Sequence, residues 1–381
     1  MLVELHLIQN FAPANLNRDD TNSPKECEFG GRRRARISSQ CQKRAIRLAL
    51  GDTGGLDADA LGTRTRLLRN AVRDRLADRG MEPERAEAVA NAGVEATRLK
   101  FADAKQPAET QYLVFLANRD IERLTELCAE HAETLAAPAA RGRKEGLPKE
   151  VAKAFEDVFA GRSAVDIGLF GRMLADLPKE NVDAASQVAH AISTHALDAE
   201  FDFYTAVDDL KTREEDAGAG MLGTIEFNSS CFYRYLNLDL GQLTANLGGD
   251  ADTARAGLAA FLLSAVTALP TGKQNSFAAH NLPSLVLAVV RDDAPRQLAN
   301  AFVRPVAPRR DDDLVGASIG ALSDYWGRLN AMYGDDGLRA VPVLADPAYD
   351  GRLGDLAAHA VPNLRALCDA VLDAASAEAG R

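Results

Sequence analysis

Residues 32–47 read Arg-Arg-Arg-Ala-Arg-Ile-Ser-Ser-Gln-Cys-Gln-Lys-Arg-Ala-Ile-Arg, with seven basic positions and no acidic one. The chemistry such a run can do is to hold phosphate. Gly30-Gly31 punctuates its start. Arg32 to Ile37 reads as an extended segment with Arg34 and Arg36 on one side. Ser38 or Ser39 reads as the N-cap of a helix running to about Leu50. On that helix Gln40, Lys43, Arg44 and Arg47 fall at i, i+3, i+4 and i+7, a polar stripe about 10 Å long. Cys41, Ala45, Ile46 and Leu48 lie more to the other side and are expected to pack. The free N–H groups of the helix start favour an anion. Like charges on adjacent turns repel one another, so a bound polyanion stabilises the stripe.

Other residue types offer chemistry that their spacing supports less well. Asp19-Asp20 and Asp208-Asp209 are carboxylate pairs of the kind that hold a divalent metal for phosphodiester cleavage. They motivate an alternative reading, a metal-dependent ribonuclease acting on RNA. Adjacent carboxylates seldom chelate one ion together, and capping or turn roles are their ordinary use. His190 and His195 are five apart, which does not place them on one helix face. Ser38-Ser39 has no evident base partner, so no catalytic residue is assigned. Gly218-Ala219-Gly220-Met221-Leu222-Gly223 is a literal dinucleotide fingerprint. It follows a charged run and precedes a strand-like one, so it reads as a hairpin tip. No cofactor and no metal site is expected. Phe201, Phe203 and Tyr204 stand between acidic residues, and aromatics beside a cationic groove are a platform for stacking single-stranded bases.

The elements that must position these groups are legible in outline. The 381 residues carry a formal net charge of −11, yet residues 1–50 sum to +4 and the remainder to −15. A local cationic block on an acidic chain suits one polyanionic ligand rather than general stickiness. No apolar run approaches the ~18–20 residues that cross a bilayer, and no secretory signal is visible. The five cysteines form no CxxC pair. A reducing, cytoplasmic setting follows, with no membrane partner. Residues 2–9 alternate as a strand, with Val3, Leu5 and Leu7 set against Glu4 and His6. Thr65–Arg79, Pro83–Leu99 and Asn118–Leu135 are helix-periodic and read as an all-helical insertion. Gln187–His195 looks like a short helix or turn, Thr224–Leu240 and Ser284–Arg291 like strands. Helices are expected at Asp252–Ala268, Ala317–Tyr333 and Leu364–Ala377. The order fits an α+β, ferredoxin-like sheet with insertions.

Several longer motifs carry a family resemblance. Asn17-Arg18-Asp19-Asp20, Phe29-Gly30-Gly31, Arg34 to Gln40 and Lys43-Arg44-Ala45 resemble the N-terminus of the CasC family. That family is the repeated backbone subunit of the type I-E CRISPR surveillance complex, Cascade. Val165-Asp166-Ile167, Gly171-Arg172-Met173, Ala189 to His195, Phe203 to Leu210, Phe232 to Tyr235, Gly272-Lys273-Gln274 and Tyr325-Trp326 extend the likeness over nearly the whole chain. The resemblance implies an RNA-recognition-motif-like palm (1–60, 171–195 and 229–381), a helical fingers insertion (61–170) and a β-hairpin thumb (196–228). It implies copies stacked head-to-tail along CRISPR RNA, with other subunits at the ends. Target DNA pairs with the guide, and a recruited helicase–nuclease degrades it. Carried over by position, RNA-backbone contacts fall on Arg18, Lys25, Ser38, Gln40, Lys43, Arg44 and Arg47. Met173 falls near bases, Phe203 and Tyr204 fall at a displaced nucleotide, and Lys273 is a further contact.

Overall fold

The structure, a computed structural model, describes residues 1–103, 108–136, 147–160, 164–206, 221–307 and 312–376. In chain order the elements are β1 (Leu2–Ala14), β2 (Glu26–Phe29), β3 (Arg32–Ile37), α1 (Ser39–Asp52), β4 (Gly62–Thr65), α2 (Leu68–Asp78), α3 (Pro83–Ala96), β5 (Val114–Ala117), α4 (Asn118–Glu130), α5 (Ala132–Ala136), α6 (Lys149–Glu156), α7 (Val165–Phe170), β6 (Ser186–Val188), β7 (Ala191–Ser193), β8 (Glu200–Ala206), β9 (Met221–Asp239), α8 (Leu240–Asn246), α9 (Ala251–Thr267), α10 (Gln274–Phe277), β10 (Leu285–Arg291), α11 (Leu314–Tyr333), β11 (Leu338–Ala340), β12 (Val343–Ala345) and α12 (Leu364–Ser376). The α+β expectation holds at that level. Two compact units form: Met1–Gly54 with Gln187–Asp239 and Ala259–Arg381, and Gly55–Ser186 with Leu240–Leu258. The second unit therefore runs past residue 170 to Ser186, beyond the boundary expected for the insertion.

A large sheet organises the first unit, with strand order β11-β10-β1-β9-β7-β3-β2. Its ladders at β10–β1, β1–β9, β9–β7, β7–β3 and β3–β2 are antiparallel. One feature corrects the sequence reading. The segment Gln187–His195 supplies strand rather than helix or turn. Its three-residue strands take their hydrogen bonds from neighbours distant in sequence, so they leave little local periodicity. The strand expected at residues 2–9 forms as β1, and its alternating polar residues Glu4 and His6 are turned inward. Both are fully buried, because β1 is covered on both faces. Glu4 Oε2 sits 2.9 Å from Arg291 Nε, and the Tyr235 hydroxyl donates to Glu4 Oε1 at 2.7 Å. His6 Nδ1 meets the Tyr233 hydroxyl at 2.9 Å. Burial, with Arg291 adding to it, pushes His6 down to about 3.

The second unit is built around α2, α3 and α4. Leu68, Val72, Leu76, Val89, Val94, Leu124, Cys128 and Phe155 form its core. It is not all-helical. The strands β4 and β5 pair from Gly62↔Ala117 to Thr65↔Val114. At four residues each they are too short for the helix-scale pattern around them to reveal.

Candidate nucleic-acid interface

The basic run divides at the Gly30-Gly31 turn and again inside β3. Phe29 pairs with Arg32, so the two glycines form the whole loop. Both have positive φ, +62° and +70°, as the primed two-residue hairpin turns require. The turn aims β3 into the sheet, and there Arg34 is fully buried. Its Nη1 donates to the Ser193 and Thr194 carbonyls at 3.0 Å, and Nη2 to the Phe302 carbonyl at 2.7 Å. Arg34 therefore clamps backbone within the unit and leaves the cationic surface. Arg36, expected on the same side, is half-buried and keeps an accessible edge. Arg33 pairs with Glu26 at 2.7 Å.

The helix α1 follows as read. Ser38 is its N-cap, with Oγ accepting from Cys41 N at 3.3 Å, and Ser38 itself is buried. Asn17 Oδ1 accepts from Ser38 N at 2.8 Å, which ties the 15–25 turn to the helix start. The buried face is Gln42, Ile46 and Leu50. Leu48, expected to pack, is 48% exposed. Gln40 and Arg44 are exposed, and Lys43 and Arg47 are half-buried beside them. Gln42, outside the cationic stripe, is a structural residue. It donates to the Ala189 carbonyl at 2.9 Å and accepts from Arg234 Nε at 3.1 Å. Burial lowers Arg234 to about 10. A buried Gln on a cationic helix leaves no sequence signal distinct from the exposed Gln40.

Two loops extend the cationic surface. Arg18 and Arg44 line one open cleft of about 540 Å3, with Leu16, Leu48, Leu269 and Pro270 as apolar wall and Asp19 and Asp52 also on its lining. Lys25 sits beside β3, where Arg36 N donates to the Lys25 carbonyl at 2.8 Å. Burial raises the Cys41 thiol, while the charges of Arg44 and Lys25 act in the opposite sense, so both cations lie close to it. Neither Lys25 nor Arg44 has a carboxylate partner within 4 Å among the described residues. Lys273, half-buried, holds a left-handed φ of +53° just before α10. Asp19, one of the carboxylate pair behind the ribonuclease alternative, is engaged within its own turn. Its Oδ1 accepts from Thr21 N at 2.8 Å, Thr21 Oγ1 at 2.7 Å and Ser23 N at 3.1 Å. Those donors, Thr21 hydroxyl first, hold its carboxyl below the usual range. Among the described residues no group of three His, Cys, Asp or Glu is placed to share a metal ion. Asp208 and Asp209 lie outside the described residues, as does the hairpin tip with Gly218 and Gly220.

The aromatic pair is rearranged. β8 and β9 form a hairpin in which Phe203 faces Thr224 and Tyr204 faces Gly223. Adjacent strand residues point to opposite faces. The companion of Phe203 is therefore Phe201, two residues away, and these are 64% and 68% exposed. Tyr204 lies over Gly223. A Cβ built there would come within 2.3 Å of the Tyr204 ring, so Gly223 is the residue that lets the ring lie flat. The third glycine of the fingerprint thus has a packing role. In the second unit Met173 is 80% exposed beside Tyr112 and Leu113.

A family profile described as CT1975-like protein matches residues 3–370. A chain of a CRISPR RNA-guided surveillance complex in a pre-nicking state is similar at 35% identity, with TM-score 0.86, covering 98% of this chain and 100% of that one. A chain of another CRISPR RNA-guided surveillance complex is 30% identical with TM-score 0.74, covering 98% and 100%. No curated protein matches. No helix among the described residues is long and apolar enough to cross a membrane.

Proposed function

We propose that this chain, which belongs to the CT1975-like protein family, is a CRISPR RNA-binding backbone subunit of a Cascade-type surveillance complex. The full-length likeness at 35% identity to a chain of an RNA-guided complex carries the reading. The motifs quoted from residues 17–45 support placing it among type I-E subunits. The strand order β10-β1-β9-β7, with α1 and α9 falling between strands in sequence, supports an RNA-recognition-motif-like palm. The β8–β9 hairpin supports the thumb.

The mechanism asks for binding and no bond cleavage. Lys and Arg on α1 and its flanking loops neutralise phosphates and release counterions, so affinity is independent of sequence and falls with salt. Phe203 on the hairpin, and Met173 in the second unit, offer apolar faces to bases. An RNA held with its bases outward has already lost part of the entropy that pairing would cost. Copies then line the guide head-to-tail, other subunits close the ends, and a separate helicase–nuclease acts on the target DNA.

Purification tests this directly. The protein is expected to carry RNA, seen as a raised 260/280 nm absorbance ratio. Lys43→Ala with Arg47→Ala is expected to weaken single-stranded RNA binding. Wild-type affinity in that variant across salt would refute the reading. RNA cleavage in Mg²⁺ or Mn²⁺ that Asp19→Ala abolishes would favour the ribonuclease.

A further inference from the structure

We propose that Arg36 and His190 form a paired donor site for one RNA phosphodiester, adjoining the cationic face of α1. The proposal rests on the RNA-binding reading above and adds two residues to which no role was assigned from the sequence.

The site is built rather than merely charged. Arg36 Nε donates to the Glu26 carbonyl at 3.2 Å, and Nη1 meets His190 Nδ1 at 3.1 Å. A guanidinium only donates, so Nδ1 must accept, and the proton of the neutral ring sits on Nε2. Two polar groups then remain: Arg36 Nη2 and His190 Nε2–H. Neither makes a hydrogen bond among the described residues. Both belong to a surface with no carboxylate paired to Arg36. His190 is exposed, Arg36 is half-buried, and the backbone under each is fixed. Arg36 pairs with Ile192 in the sheet, and Gln42 from α1 donates to the carbonyl of Ala189, the residue before His190. Two prepositioned donors lose little side-chain entropy when an anion arrives.

The surroundings select the ligand. Lys25 lies against the same strand, its carbonyl accepting from Arg36 N at 2.8 Å. Burial, then Arg36, then Lys25 hold His190 below its ordinary range, which agrees with a neutral ring beside two cations. An anion at this point meets a charged donor, a neutral donor and a nearby ammonium. A phosphodiester carries one charge and two acceptor oxygens, which matches one cation plus one neutral N–H. Two donors side by side suit the two non-bridging oxygens of a nucleic-acid backbone phosphate.

The test uses the full chain and a fluorescein-labelled single-stranded RNA of mixed sequence, titrated at several salt concentrations. Arg36→Ala is expected to weaken binding and to make the log Kd–log salt slope shallower by about one. His190→Ala removes the outward N–H together with the ring acceptor that orients Arg36. It is expected to weaken binding about tenfold, the order of one hydrogen bond to a charged group, with the slope unchanged. Because His190 is exposed, that variant folds, and its urea midpoint checks this. Wild-type affinity in either variant, while Lys43→Ala with Arg47→Ala binds weakly, overturns the paired site and leaves the RNA reading standing. Wild-type affinity in all three overturns both.

Discussion

Four cations around α1 of the first unit differ in their partners from the basic residues of the second unit. In the second unit cations face carboxylates: Arg66 with Glu109, Arg69 with Glu87, Arg75 and Arg79 with Glu122, Arg85 with Glu133, Arg98 with Glu156, and Lys100 with Asp176. Apart from that of the buried Arg69, such surface pairs contribute about 0–1 kcal/mol, and all neutralise their own field. Around α1 of the first unit, Arg18, Lys25, Arg36 and Arg44 have no carboxylate within 4 Å among the described residues, although Asp19 and Asp52 share a cleft with Arg18 and Arg44. Uncompensated cations cost self-repulsion in the free protein and return it when a polyanion binds. The contrast says that basic content alone does not mark a nucleic-acid surface. The pairing of each cation does.

The largest effect expected on breaking this contrast comes from the arginine that violates it from inside. Arg34→Ala takes the guanidinium donors from the Ser193, Thr194 and Phe302 carbonyls, of which Thr194 keeps the Val306 N–H, and opens a cavity. It should destabilise the protein by about 3 kcal/mol or more, read as a lower urea midpoint. Next, Lys25→Ala with Arg44→Ala should weaken RNA binding by about 10- to 100-fold at moderate salt while leaving that midpoint nearly unchanged.

A smaller effect concerns the buried side of the same sheet. His6 is held near 3 when folded and titrates near 6.5 when unfolded. The unfolded chain thus binds more protons between these values. Stability is fully present above pH 6.5 and falls by about 1.4 kcal/mol per pH unit below it. Urea midpoints at pH 7, 6 and 5 check the slope, and His6→Gln should flatten it. The smallest effect belongs to the paired unit. Arg79→Ala should change stability by less than about 1 kcal/mol and leave RNA affinity unchanged, by the same titrations.

How far the sequence reached follows from these particulars. The capped helix from Ser38, the long strands near 224–240 and 285–291, and α2, α3 and α4 were readable because their periodicity is local. The burial of Arg34 was not. It depends on Ser193 and Phe302, distant in sequence, and an alternating Arg run looks the same whether one face is wet or dry. The burial of Glu4 and His6 was illegible for the same reason, since alternation in β1 does not show that tertiary packing covers both faces. Phe203 and Tyr204 looked like a pair because they are adjacent, whereas the strand separates them and joins Phe203 to Phe201. His190 carried no signal until Arg36 was found against it.

The central claim is that Lys25, Arg36 and Arg44 around α1, and not the carboxylate-paired arginines of the second unit, hold RNA. It is tested most directly by the salt dependence of RNA affinity in three proteins: wild type, Lys25→Ala with Arg44→Ala, and Arg75→Ala with Arg79→Ala. The account predicts a slope shallower by about two in the first variant and a wild-type slope in the second. Equal slopes in all three, or a greater loss in the second variant, would contradict it.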